Sequence, residues 1–459
     1  MEKMDLIIKN GNVVLPAGLE QLDIGIKDGL IHILGKNLLN ESEEIWDAAN
    51  QYVFPGMIDV HVHFSEPGRE HWEGFRTGSQ MMAAGGCTTY FDMPLNGIPS
   101  TVTEEALSKK ANLGIEKSLV DFSLWGGLVP GNEGDLEVLA KSGVIGFKAF
   151  LSTTGNKEFE AVDDITLLNG MKQIAKLGKV LALHSESAAM TDWLKEQKEK
   201  EGKCTADDYL ETRPIMAEVE AVQRAIYYSE ITGCPLHFVH ISSAEAIKII
   251  QQAKARGLNI TVETCPHYLL FNHQDLRKRG TVAKCAPPLR EKDEQEKLVN
   301  LLINQKFDMI SSDHSPCPYE LKDPKVHNLF QAWGGISGGQ FTLLSIIELA
   351  VKYEIPFESV AKWTAQNPAK RFGISDRKGQ IKEGKDADFA IVTFDKSYTV
   401  TEDNFYAKHK ESLYLGHTFP CEITGTINRG NVVYENGRVV GGTPHGCWVK
   451  PVVTEIVSN

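Results

Sequence analysis

Residues 53–64 read VFPGMIDVHVHF, an apolar run that ends on two histidines, His61 and His63. Side chains along a strand alternate with period two, so both imidazoles point the same way and can grip one divalent ion. Asp59, one alternation earlier, is placed to orient a ring. Alone the pair proves little, because two partly buried histidines satisfied by backbone carbonyls give the same pattern. Its weight comes from repetition.

Seven more strand-like runs follow, at 87–93, 120–128, 144–151, 180–183, 236–241, 260–264 and 309–312. Between them lie amphipathic stretches such as DDITLLNGMKQIAKLG, SSAEAIKIIQQAKARG and KDEQEKLVNLLINQK, with apolar residues at helical spacing. Ser242 and Glu245 predict a capping box at the start of the second stretch. Eight strand–helix units are the number that closes a (β/α)8 barrel, although doubly wound sheets use the same alphabet. What favours the barrel is the placement of ligand-type residues, because functional side chains in that fold converge from the C-terminal ends of the strands. Lys148, His184, His240 and Asp313 repeat at strands four, five, six and eight what His61 and His63 do at strand one.

Both chain ends have another character. MDLIIKNGNVV and QLDIGIKDGLIHILG at the front, and DFAIVTF and EITGTINRGNVVYENGRVV at the back, read as short strands. Asn10-Gly11, Asp28-Gly29 and Asn436-Gly437 are hairpin signals. The expected organisation is residues 1–54 and 379–459 forming one small β-sandwich domain around a barrel at 55–378.

Lys148 is the residue that needs most explanation. A charged, unpaired lysine inside an apolar strand costs several kcal/mol. Either it snorkels to the barrel mouth or pairs with a carboxylate, or its amine has reacted with CO2 to give an anionic carbamate that can bridge two cations. His184 and His240 suit a second metal, and a lone histidine after a strand is often just a satisfied core residue. Asp313 adds a carboxylate able both to bind metal and to accept a proton from water. His267 lies past strand seven and takes no ligand role.

The net charge of −13 argues against nucleic acid and anionic membranes as partners. No run approaches the roughly 18 apolar residues of a membrane helix, and the first residues carry no signal-peptide pattern. Eight scattered cysteines without a CxxC pair exclude a zinc-finger framework and point to a reducing cytoplasm.

The motifs PGMIDVHVHF, GFKAFLS, HSES, HFVHISS, ETCPHYL, KCAPPLRE and SDHSPC, followed by KGQIKEGKDADFAIV, resemble the cyclic amidohydrolases of the amidohydrolase superfamily. That group includes dihydroorotases, hydantoinases (dihydropyrimidinases) and allantoinases. The resemblance runs over essentially the whole chain. It implies two divalent metal ions, usually zinc, bridged by a hydroxide and by Lys148 as N6-carboxylysine. It gives His61, His63 and Asp313 to one ion and His184 and His240 to the other, with Asp313 also as the catalytic base. It further implies a homotetramer.

Within the group the match is closest to the allantoinases, which open the ring of allantoin to give allantoate. Dihydroorotases typically carry HxHxR and DMPNT, whose arginine pairs with a substrate carboxylate; here Ser65 stands at the arginine position, and DMPLNGIPST places Leu95 and then Asn96. Losing that cation fits a neutral substrate, with Arg69 the nearest replacement. Hydantoinases place a tyrosine shortly after the strand-four lysine, where this chain reads LSTTG. The glycines of AWGGISGGQ let backbone approach a polar ligand. The expected substrate contacts are Ser65, Asn96, Ser315, Gly334 and Gly335.

Overall fold

In the computed structural model, which describes residues 3–39, 41–441 and 443–452, the run at 53–64 is two strands rather than one. Tyr52–Pro55 lies in a sheet built from the chain ends, and Met57–Val62 opens the barrel. Gly56 makes the division possible. A Cβ there would sit 2.2 Å from Thr88 Oγ1, so only glycine lets the chain pass the second barrel strand so closely.

The barrel strands are Met57–Val62, Cys87–Asp92, Asp121–Leu124, Phe147–Phe150, Leu181–His184, Leu236–Phe238, Ile260–Thr264 and Met309–Ile310. All neighbouring pairs are parallel. Strand three is interrupted at Trp125 and resumes as Gly126–Gly127 against strand four. The indole causes the break: it turns inward, fully buried, and donates to Val60 O at 2.9 Å. Closure between strands eight and one runs through a bridge from His314 to Val62, with His63 N donating to His314 O at 2.8 Å. Ile58, Phe91, Ala182 and Met309 of the strands, with Trp125 in the break of strand three and Val239 just past strand six, form one buried cluster joined by Phe372. The barrel is therefore a packed core with its functional side chains confined to one mouth.

The helices grow from the predicted amphipathic stretches. Asp163 caps Asp164–Lys176 by accepting from Thr166 N at 2.7 Å. The cap of Ala244–Ala255 is Ser243, not Ser242. Glu218 accepts both the N–H and the hydroxyl of Ser242 at 2.9 Å.

Front strands Met4–Leu15, Gly18–Lys27, Leu30–Gly35, Ser42–Asp47 and Tyr52–Pro55 join back strands Phe389–Thr393, Glu422–Asn428, Asn431–Glu435 and Arg438–Val439 in one nine-stranded sheet. The two ends meet where Tyr52–Pro55 pairs antiparallel with Phe389–Thr393. Ile8, Val13, Ile24, Val53, Phe389 and Ile427 pack together as its core. Asp28-Gly29 and Asn436-Gly437 form the expected hairpin turns. Asn10-Gly11 does not. It is a bulge inside Met4–Leu15, with Asn10 at φ 61° and the register shifting between Ile8 and Gly11. Residues 446–449 leave this sheet and run along strand three, with a bridge from Trp448 to Phe122. No helix among the described residues is long and apolar enough to cross a membrane, and all eight cysteines are free thiols.

Candidate metal centre

His61 lies in strand one and His63 just beyond it, and Asp313 follows strand eight. Ligand atoms of these three buried residues lie within 4.8 Å of one another. Asp313 Oδ1 is 3.2 Å from His61 Nε2 and 3.3 Å from His63 Nε2. Glu263, in strand seven, accepts from His61 Nδ1 at 2.7 Å. That bond keeps the ring proton on Nδ1 and leaves the Nε2 lone pair facing a carboxylate oxygen, an arrangement that needs a cation between them. Asp59 does not orient either ring. It is spent on the backbone, accepting from His61 N at 3.2 Å and from Ser312 N at 3.1 Å.

The second pair is built likewise. His184 Nδ1 lies 3.1 Å from His240 Nε2, while His184 Nε2 donates to Glu186 at 2.8 Å. Phe150 stacks on the His184 ring with centroids 4.7 Å apart. His61 and His240 are 5.3 Å apart between centroids, so the two pairs adjoin.

Lys148 completes the group. It is fully buried, its Nζ has no hydrogen-bond partner, and it lies 5.0 Å from the Phe150 ring centroid. It neither snorkels nor pairs. Burial pushes its ammonium down to about 8. Burial also holds His61 near 4 and His184 and His240 below the usual imidazole range, so the rings are neutral at neutral pH. Burial pushes the Asp313 carboxyl up, but His61 and His63 outweigh it and hold the group at about 2. Unprotonated ring nitrogens, a carboxylate and an unpartnered buried amine fit a divalent metal centre. Backbone strain marks the same place: Ser65, Asn96, His240 and Asp313 all have positive φ, between 37° and 74°.

The centre forms the floor of a cavity of about 420 Å³. Asn96, Ser315, Gly334 and Gly335 line it, as do Ser152, Thr153, Thr154 and Gly155 of the LSTTG stretch. Asn96 Nδ2 reaches His63 Nδ1 at 3.4 Å. Both backbone groups of Gly335 are already engaged, its N–H by Lys284 O at 2.8 Å and its carbonyl by Lys322 Nζ at 2.5 Å. Gly334 is the freer of the two. Ser65 is not among the lining residues; its hydroxyl is enclosed without a partner. Arg69 is not there either, and its guanidinium lies over Trp72, 4.9 Å from the ring centroid. Cations nonetheless line the cavity: Arg213, Lys284 and Lys195.

Sequence reasoning missed Glu263, Glu186, Arg213 and Lys284. Glu263 obeys the strand-end rule, at the penultimate position of the one late strand to which no residue was assigned. His267 is buried near the centre with neither ring nitrogen bonded, and it does not line the cavity. A second acidic cluster, Asp121, Asp386 and Asp388, also has ligand spacing. Lys378 Nζ fills it, at 2.5, 3.0 and 2.6 Å from the three carboxylates.

The profile of the amidohydrolase family matches residues 52–433, most of the chain and every residue of the centre. The chain belongs to the amidohydrolase family. Curated amidohydrolase relatives include the allantoinase of Bacillus velezensis, 54% identical over 97% of this chain and 98% of its own length. The allantoinase of Deinococcus radiodurans is 44% identical over 98% of this chain and 99% of its own. Among solved amidohydrolase folds, the L-hydantoinase (dihydropyrimidinase) of Arthrobacter aurescens superimposes with a TM-score of 0.94 at 31% identity. The match covers 97% of this chain and all of the other.

Proposed function

We propose that this chain hydrolyses allantoin, opening its hydantoin ring to give allantoate. The observation that carries the reading is end-to-end identity of 54% with an allantoinase. A cavity with Asn96, Thr153, Thr154 and Ser315 in its wall suits a neutral, urea-rich ligand.

His61, His63 and Asp313 would hold one divalent ion, His184 and His240 a second, and Lys148 would lie between them as a carbamate. The buried amine favours that modification: near neutral pH part of it is uncharged, its nitrogen bonds the carbon of CO2, and the released proton leaves to solvent. A positive side chain facing two cations becomes a negative one. When bound, the ions supply Lewis acidity at the ring carbonyl and lower the pKa of water toward about 7. Asp313 Oδ1 faces the two imidazoles, which leaves Oδ2 to take the proton of the attacking water and return it to the departing ring nitrogen. Zinc is the proposed ion, from a ligand set that also suits manganese, cobalt or iron. A cytoplasmic homotetramer is part of the same proposal.

The test is turnover of allantoin, hydantoin and dihydrouracil by metal-loaded protein, together with a metal count. Preference for allantoin with close to two ions per chain supports the reading. Preference for hydantoin or dihydrouracil replaces it with hydantoinase activity, which the structural likeness to L-hydantoinase favours as the second reading.

A further inference from the structure

The two halves of the centre are backed by different charges. Behind His61 stands Glu263, which bonds His61 Nδ1 at 2.7 Å and His237 Nε2 at 3.0 Å. Among the described residues no lysine or arginine bonds Glu263, so no cationic side chain draws its charge away from the histidines it bonds. Behind His184 stands Glu186, and the oxygen that accepts from His184 Nε2, Oε2, also accepts from Arg213 Nη1. Its other oxygen, Oε1, is buried without a partner. One oxygen therefore divides its charge between an imidazole and a guanidinium.

A carboxylate behind a ligating imidazole makes that ring a better donor, and a cation on the same oxygen withdraws the effect. Arg213 also faces the cavity, adding a positive charge beside the seat of the second ion. Its place is fixed by Arg290, whose Nη1 donates to Arg213 O. The donor sets already differ, because Asp313 belongs to the first pair alone.

We infer that Arg213 is a positioning residue that weakens the His184–His240 half of the centre, so that this half fills last and empties first. The inference rests on the binuclear reading above. Arg213 holds Glu186, and through it His184, in one orientation while lowering the affinity of that half for a cation. An ion held there keeps more of its Lewis acidity for substrate, at the cost of tenacity.

Titration of metal-free protein with Co2+, followed by absorption and by competition with a chromogenic chelator, tests this without any assay of activity. Wild-type protein should bind two ions in two classes at least tenfold apart. Arg213→Gln should tighten the weaker class by about tenfold, and Arg213→Lys should restore the gap. Glu186→Gln should weaken the same class about 10–100-fold and leave the tighter class in place, which keeps the inference testable should the Arg213 variants not fold. Two ions of equal affinity in the wild type, or an unchanged gap in Arg213→Gln, overturns the role of Arg213. Binding of one ion or none overturns the binuclear reading instead.

Discussion

Glu263 bonds one candidate ligand from each half of the centre: its Oε1 takes the His61 Nδ1 proton at 2.7 Å and lies 3.4 Å from His240 N. It therefore braces an imidazole of one half and the strained backbone of the other. Loss of such a partner typically costs 10–100-fold in metal affinity. Glu263→Ala should lose about that much in chelator competition, with both ions affected. Unchanged affinity would mean that packing alone orients His61.

Lys148→Ala should abolish activity and the second equivalent of metal. Small carboxylic acids should restore part of both, because they can fill the space of the carbamate. Wild-type turnover with two ions bound would make the lysine merely structural.

The same lysine gives a pH dependence. Its folded pKa is held down at about 8 by burial, so the uncharged amine that reacts with CO2 accumulates as pH rises through 8. With dissolved CO2 held constant, reactivation of metal-free protein by CO2 and Zn2+ should accelerate from pH 6 to about 8 and then level off. A rate independent of pH over that range would exclude amine deprotonation as the controlling step.

Asp313→Asn keeps an oxygen for the metal but cannot take a proton. General-base catalysis contributes about 10²–10⁴-fold, so kcat should fall at least that far while circular dichroism shows an intact fold. A loss below about tenfold would assign the proton to another group.

Allantoin should exceed dihydroorotate in kcat/KM by at least about a hundredfold, the scale of one missing charged contact. Arg69 is spent on Trp72, Arg213 on Glu186, and Lys284 on the carbonyls of Phe330 and Ala332. Lys195, the remaining cation of the cavity wall, lies 3.9 Å from Glu199 near the solvent. Comparable efficiency on dihydroorotate would show that Arg213, Lys284 or Lys195 binds its carboxylate.

The barrel and the cluster of candidate ligands at its mouth were legible because both obey one-dimensional rules: strand runs alternate with helical ones, and the clustered residues follow strand ends. Contacts between distant segments were not. Gly56 divides a continuous apolar run because of Thr88, and Trp125 breaks strand three because its indole reaches Val60. The cap of Ala244–Ala255 falls one residue later than expected, on Ser243, while Ser242 bonds Glu218 on another helix. Glu263 escaped notice because a carboxylate inside a strand reads as a polar interruption until the residues it bonds, His61 and His237, are seen beside it.

Residues 446–449 along strand three have a consequence for biosynthesis. Phe122 N donates to Cys447 O at 3.0 Å, Val449 N to Phe122 O at 2.7 Å, and Ser123 Oγ to Val449 O at 2.6 Å across 326 residues of sequence. A ribosome delivers the third strand 326 residues before its outer partner. Until then that edge is exposed while the other strands assemble, a long-range pairing of the kind that slows folding. The edge of strand three is thus covered only once residues 446–449 have been made.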